Sequence, residues 1–230
     1  MVKHVVVSSV LFLAMSAFAQ QGNIQSDTTL NNRYLEDQFF IGFGYNFLLD
    51  RPDGVIQRSL SYSLQMGIIK DIPLNKRRNF GFGLGLGYTT NSYYYNVLAE
   101  REGDLITYRL PTDEDRFNRS KLETHGIAFP LELRWRTSTA SEYRFWRVYA
   151  GFQATYLFSR TSRITGANKT AFRNPDLQQW QYGLMLNFGY NTLNLHIYWA
   201  LNDLLADNAR LGNDPITIRP LRLGLIFYIL

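Results

Sequence analysis

The sequence predicts an all-β protein: an up-and-down antiparallel transmembrane β-barrel of about eight strands. Three observations predict it. Apolar residues recur at every second position in segment after segment of the 230-residue chain. In each segment the two faces differ in kind, one bulky and greasy, the other built of glycine, small polar groups and a few charges. All four tryptophans lie on the bulky face, each toward the end of a segment.

The first segment sets Phe39, Ile41, Phe43, Tyr45 and Phe47 against Gly42, Gly44 and Asn46. The second sets Leu60, Tyr62, Leu64, Met66 and Ile68 against Ser59, Ser61, Ser63, Gln65 and Gly67. In the third, Phe80, Phe82, Leu84, Leu86 and Tyr88 alternate with Gly81, Gly83, Gly85, Gly87 and Thr89. A helix groups residues three and four apart and would mix these sets. The fourth opposes Ile127, Phe129, Leu131, Leu133 and Trp135 to Ala128, Pro130, Glu132, Arg134 and Arg136. The fifth runs from Trp146 to Phe158, with Arg147, Tyr149, Gly151, Gln153 and Thr155 on its small or polar face. The sixth opposes Trp180, Tyr182, Leu184, Leu186, Phe188 and Tyr190 to Gln179, Gln181, Gly183, Asn187 and Gly189. The seventh runs from Leu193 to Leu201 with His196 on its polar face, and the last from Leu221 to Ile229 with Arg222 and Gly224 on its polar face. Segments of roughly 9 to 11 residues are the length that crosses a bilayer when tilted.

The orientation of the two faces separates a membrane barrel from a soluble sandwich or calyx. In a soluble fold the small face would meet water, and its runs of glycine and serine would weaken an exposed sheet. In a narrow barrel the bulky face meets lipid and small side chains fit the crowded interior. Trp135, Trp146, Trp180 and Trp199 then form two aromatic girdles, joined by Tyr45, Tyr88, Tyr156 and Tyr190.

Residues 1–19 read as a cleaved export signal: Lys3, a short apolar run from Val5 to Met15, and Ala17-Phe18-Ala19 before Gln20. Residues 20–37 form a polar lead-in, and 38–230 the barrel. The links Lys70 to Asn79, Thr137 to Tyr143 and Asn191 to Thr192 are short. Asp50 to Arg58, Asn91 to Ser120, Arg160 to Asp176 and Asn202 to Thr217 are mostly longer. Short turns are periplasmic in outer-membrane barrels, and an even strand number leaves both termini on that side. The chain contains no cysteine, which excludes a disulfide framework and thiolate metal sites. No metal or cofactor site is read from the residues. A net charge of +5 without an aromatic-basic module does not point to nucleic acid.

With the strands placed, the wording of particular stretches carries a resemblance. Asp71-Ile72-Pro73-Leu74 at the first turn, Asn79-Phe80-Gly81 opening the glycine-rich strand, and Asn91 to Asn96 with its tyrosines are among them. Ser120-Lys121-Leu122 leading to Pro130-Leu131-Glu132-Leu133-Arg134 follows, then Gln181-Tyr182-Gly183, the Asn191 turn and the final Phe227-Tyr228-Ile229-Leu230. In these residues the chain resembles the PorT-like family of small outer-membrane β-barrels of the Bacteroidota. Some members named PorT serve type IX protein secretion, so the resemblance implies an accessory place in an envelope or secretion assembly.

About eight strands leave room for side chains but hardly for a solute channel. Glu132, Arg134 and Arg136 with Arg147 on the adjacent strand should form an interior ion-pair network near the periplasmic mouth, which Gln153, His196 and Arg222 extend. The alternative is an ion path or narrow pore. The Gly81 to Gly87 repeat lacks the spacing and the following helix of a nucleotide loop. Ser120, Glu123 and His125 raise a second alternative, a lipid-modifying enzyme; the apolar parity changes between Leu122 and Ile127, which implies a bulge or the strand's start there. The reading favoured by the residues is non-catalytic and monomeric, with outer-membrane lipid and other envelope or secretion proteins as partners. In the long second loop, Tyr93, Tyr94, Tyr95, Arg101, Arg109 and Arg116 are the candidate binding surface. Arg160, Arg163, Lys169 and Arg173 are placed to meet anionic headgroups.

Overall fold

The computed structural model describes residues 38–112, 115, 117–137, 146–166 and 169–229, without the side chains of 117, 118 and 166. They belong to one compact unit, Leu35–Leu230. The expected export signal (1–19), the lead-in (20–37) and most of the Thr137 to Tyr143 link lie outside the described residues.

Eight long strands form the wall: β1 (Gln38–Leu49), β2 (Tyr62–Pro73), β3 (Phe80–Tyr95), β6 (Phe117–Arg136), β7 (Trp146–Gly166), β9 (Trp180–Tyr190), β10 (Leu193–Ala200) and β13 (Arg219–Ile229). Each pairs antiparallel with its neighbours in that order, and β13 pairs back onto β1 along Phe39↔Ile229 to Leu49↔Arg219. The sheet is a closed eight-stranded barrel, so every strand has two partners and no edge faces lipid. Five short strands lie at the long-loop end: β4 (Leu98–Glu102), β5 (Leu105–Arg109), β8 (Thr170–Arg173), β11 (Arg210–Leu211) and β12 (Asp214–Pro215). β8 extends the sheet from β7, while β4, β5, β11 and β12 form a small sheet of their own.

The period-two pattern is realised as in-out alternation. β9 alternates exposed and buried at every residue. The bulky face points outward: Trp180 is 41% and Leu184 48% exposed, where a sandwich core would have buried both. A continuous apolar wall of this kind would not be left to water. Inside, glycine is needed where large side chains of the adjacent strand lean across it into the lumen. A Cβ on Gly183 would lie 2.3 Å from the Tyr198 ring, and one on Gly83 2.6 Å from Arg134 Nε. The two-residue turn between β9 and β10 is made by Asn191, whose φ of 56° suits asparagine better than most side chains.

Several strands run past the expected limits. β2 continues to Pro73, so Asp71 sits within the barrel wall and not in the first turn. β3 continues to Tyr95, β6 starts at Phe117 and β7 continues to Gly166, so pairing carries on beyond the lipid-facing band. The bulge expected between Leu122 and Ile127 is found as a register shift at His125/Gly126, but the extra residue lies on the partner strand. On β6 the even-numbered residues stay inward from Ser120 to Arg136. The extra residue is Phe158 on β7, skipped between the pairs His125↔Ser159 and Gly126↔Leu157. What changes along β6 is the environment inside, polar around Glu132 and apolar around Leu122.

Candidate functional site

Among the described residues the buried arginines and Glu132 and Asp71 lie in the lumen, and strand alternation puts them there. At the short-turn end Arg134 donates from Nε to Glu132 Oε2 (2.8 Å) and from Nη1 to Asp71 Oδ1 (3.2 Å). Its guanidinium also lies 4.5 Å from the centre of the Tyr149 ring. Arg136 pairs with the other Asp71 oxygen at 2.7 Å and donates to the Arg78 carbonyl. Asn187 Nδ2 donates to Glu132 Oε1 (3.1 Å) and to the Tyr228 hydroxyl (2.9 Å), which leaves its amide oxygen as an acceptor for His196 Nδ1 (2.6 Å). His196 therefore carries its proton on Nδ1 and belongs to a positioned polar chain. Arg147, also buried, lies over Tyr228 at 5.8 Å. Bonds between β2, β6, β9, β10 and β13 thus cross the barrel and offset part of the desolvation of the charges they join.

A second tier lies higher, around Arg222. It donates to Asn91 Oδ1 (2.8 Å), Asn46 Oδ1 (3.4 Å) and Gln65 Oε1 (3.5 Å), and stacks over Tyr198 at 4.8 Å. Gln153 donates to Thr155 Oγ1 at 3.2 Å and lines a cavity of about 10 Å³ with Glu132, Asn187 and His196.

Above both tiers the long-loop mouth is closed by an apolar cap. Tyr93, Tyr95, Val97, Leu122, Leu177, Leu204, Leu205, Ile216 and Ile218 are all buried in one cluster. One polar seam crosses it: the Tyr108 hydroxyl donates to Asp176 Oδ2 (3.0 Å), and Asn174 Nδ2 donates to Ser162 Oγ (2.8 Å). Burial pushes the Tyr108 hydroxyl above its ordinary range.

The expected lumen residues Glu132, Arg134, Arg136, Arg147, Gln153, His196 and Arg222 are all buried inside. The expected clustering of Glu132, Arg134, Arg136 and Arg147 is found, with Arg222 set apart from them. The tryptophans face outward at two rims: Trp146 packs on Tyr190 (5.4 Å) with Trp135 near the short turns, and Trp180 packs on Tyr156 (5.2 Å) with Trp199 near the long loops.

The candidate binding surface needs correction. Tyr93 and Tyr95 are wall residues of β3 buried in the cap, because the strand and its alternation continue through them. Tyr94 faces out, with Arg119 and Lys121 5.4 and 5.8 Å from its ring. Arg101 is held by the Gly103 carbonyl and Asp104. Arg109 is held by Glu100 (2.9 Å) and Asp115 (2.6 Å). These two belong to the β4–β5 hairpin and do not converge with the tyrosines. Arg116 lies outside the described residues. Of Ser120, Glu123 and His125, the last two meet on the outer face (Nε2–Oε1 3.6 Å), with His125 Nδ1 2.6 Å from the Tyr88 hydroxyl, while Ser120 points inward on the other face of the strand.

Asp71, Asn187, Tyr149 and Tyr228 are the network members that sequence reasoning missed. Asp71 was detectable, since it continues the inward parity of Ser63, Gln65 and Gly67.

A family model described as "Outer membrane protein beta-barrel domain" matches residues 18–206. No curated protein matches the chain. Among solved structures it is similar to Ail, the attachment invasion locus protein of Yersinia pestis, seen in complex with the heparin analogue sucrose octasulfate. The two are 12% identical over 84% of this chain and 97% of that one, with a TM-score of 0.37. A mutant of the Rh. blastica porin is 10% identical over 85% of this chain and 100% of that one, with a TM-score of 0.16.

Proposed function

Since the chain belongs to the outer membrane protein β-barrel domain family, we propose that it is a closed, non-conducting barrel of the outer membrane. In this reading it serves as a structural or accessory component of an envelope or type IX-like secretion assembly. One observation carries it: the lumen is stoppered twice, by the Asp71–Arg134–Glu132 network and by the Tyr95–Leu205 cap, and two cavities lined by the described lumen residues are only about 20 and 10 Å³. Cavities of that size hold about one water each. The resemblance of the Asp71 to Leu74 and Pro130 to Arg134 stretches to PorT-like barrels supports the secretion role.

Both termini lie in the periplasm in this reading, because the 191–192 turn and the link after Pro73 are short. The barrel is monomeric, meets outer-membrane lipid through its apolar wall, takes no nucleic acid and catalyses nothing. Its partners are other envelope proteins met at the two rims. Planar-bilayer recordings on the purified barrel should show no discrete conductance, and cross-linking in intact envelopes should recover it with protein partners. Unit conductance steps would replace this reading with a narrow pore, and repeated recovery without partners would remove the accessory role.

A further inference from the structure

Arg222 differs from the other lumen arginine whose partners bracket it most closely. Arg134 lies between two carboxylates, Asp71 and Glu132. Arg222 is equally buried, yet its acceptors Asn46, Gln65 and Asn91 are all neutral amides. Among the described residues it has no carboxylate partner. A guanidinium keeps its charge at any accessible pH and offers five N–H donors; three go to these amides and the Tyr93 hydroxyl also meets the group, so that no neighbour supplies a counter-charge. A buried charge without a counter-charge is costly.

A cavity of about 20 Å³ adjoins this group, lined by Arg222, Thr89, Asn91, Thr124, Gln181 and Tyr198 among others. Thr124 is 1% exposed and its hydroxyl has no hydrogen-bond partner. A cationic fork and an unpartnered hydroxyl therefore face one small closed space. Leu157 and Leu204 also line the cavity, and Leu204 belongs to the apolar cap. Water would satisfy the hydroxyl but leave the charge. A monatomic anion answers both, and the volume admits a particle only slightly larger than water, too small a space for sulfate or phosphate.

We propose that this cavity is a halide site, occupied by chloride, held by Arg222 and Thr124 as the buried counter-ion of the upper lumen. The test uses the mature protein refolded in detergent in sodium bromide, or in sodium sulfate at equal ionic strength. Bromide should raise the unfolding midpoint in a saturable way that sulfate does not reproduce, and crystals grown in bromide should show an anomalous peak beside Arg222. Arg222→Met should abolish both. Thr124→Val, which keeps the shape, should raise the half-saturating bromide concentration about 3- to 10-fold, the loss of one hydrogen bond, and keeps the test alive if Arg222→Met does not fold. Equal midpoints in bromide and sulfate, or no anomalous peak at Arg222, would overturn the site in favour of a water-filled cavity.

Discussion

At the short-turn end of the lumen, Arg134 is fixed by Glu132 and Asp71 and stacked on Tyr149, so that strands far apart in sequence are joined by directional bonds. At the long-loop end the same barrel is closed by Tyr95, Val97, Leu204, Leu205 and Ile218, packed with a single polar seam around Asp176. One end is held by charges that lose value as soon as a partner is removed. The other is held by apolar contact, which is non-directional and tolerates local opening. The contrast teaches that the wall and the lower plug form one structural unit, whereas the cap is a separate core contributed largely by connections between strands.

The largest effect should come from taking one carboxylate out of the lower plug. Asp71→Ala leaves Arg134 with one carboxylate and takes a carboxylate from Arg136, and breaking a buried pair costs about 3–5 kcal/mol. The unfolding midpoint of the whole barrel in denaturant should fall accordingly; an unchanged midpoint would mean the network does not hold the strands together. In the cap, Leu205→Ala should cost about 2–5 kcal/mol as a buried cavity, but locally. Hydrogen exchange should rise in 96–110 and 202–218 while the lower wall stays protected. If the global midpoint instead fell as far as for Asp71→Ala, cap and wall would be one cooperative unit and the comparison would break.

The smallest effect belongs to the outer hairpin. The Arg109 guanidinium, with the Thr112 backbone N–H, holds the Asp115 carboxyl well below the usual carboxylate range. A lowered native value means that the pair's contribution is fully present above the unfolded value of about 3.9. It is lost only as the pH falls below that, through the native value. Amide exchange of the β4–β5 hairpin, normalised for its intrinsic pH dependence, should therefore be flat from neutral pH to about pH 5 and increase only in stronger acid. An increase beginning near pH 6 would assign the hairpin's order to another group.

The polar plug was legible because a strand has a period of two: once Phe39, Leu64 or Leu184 faces lipid, Gln65, Glu132, Arg134 and His196 must face in. Asp71 obeys the same rule and is missed only because the sequence reading begins the first turn at Lys70, whereas β2 runs to Pro73. Tyr93 and Tyr95 misled for a related reason. Tyrosines amid polar residues look like a loop, yet they are wall residues whose inward face has changed from polar to apolar. No local pattern marks that change, because it depends on what the 202–218 connection brings over the mouth.

By itself, then, the amino-acid order determined the all-β class, the count of wall strands, the outward greasy face and the lumen position of the seven charged and polar residues singled out. These follow from the alternation of neighbours along one strand, a local property. Only the closed structure decided that Asp71 meets Arg134 across sixty-three positions of sequence, that the long loops supply a second core, and that Arg222 faces amides and a small cavity shared with Thr124. Register around a ring sets those contacts, and register is a relation between strands that no single strand encodes.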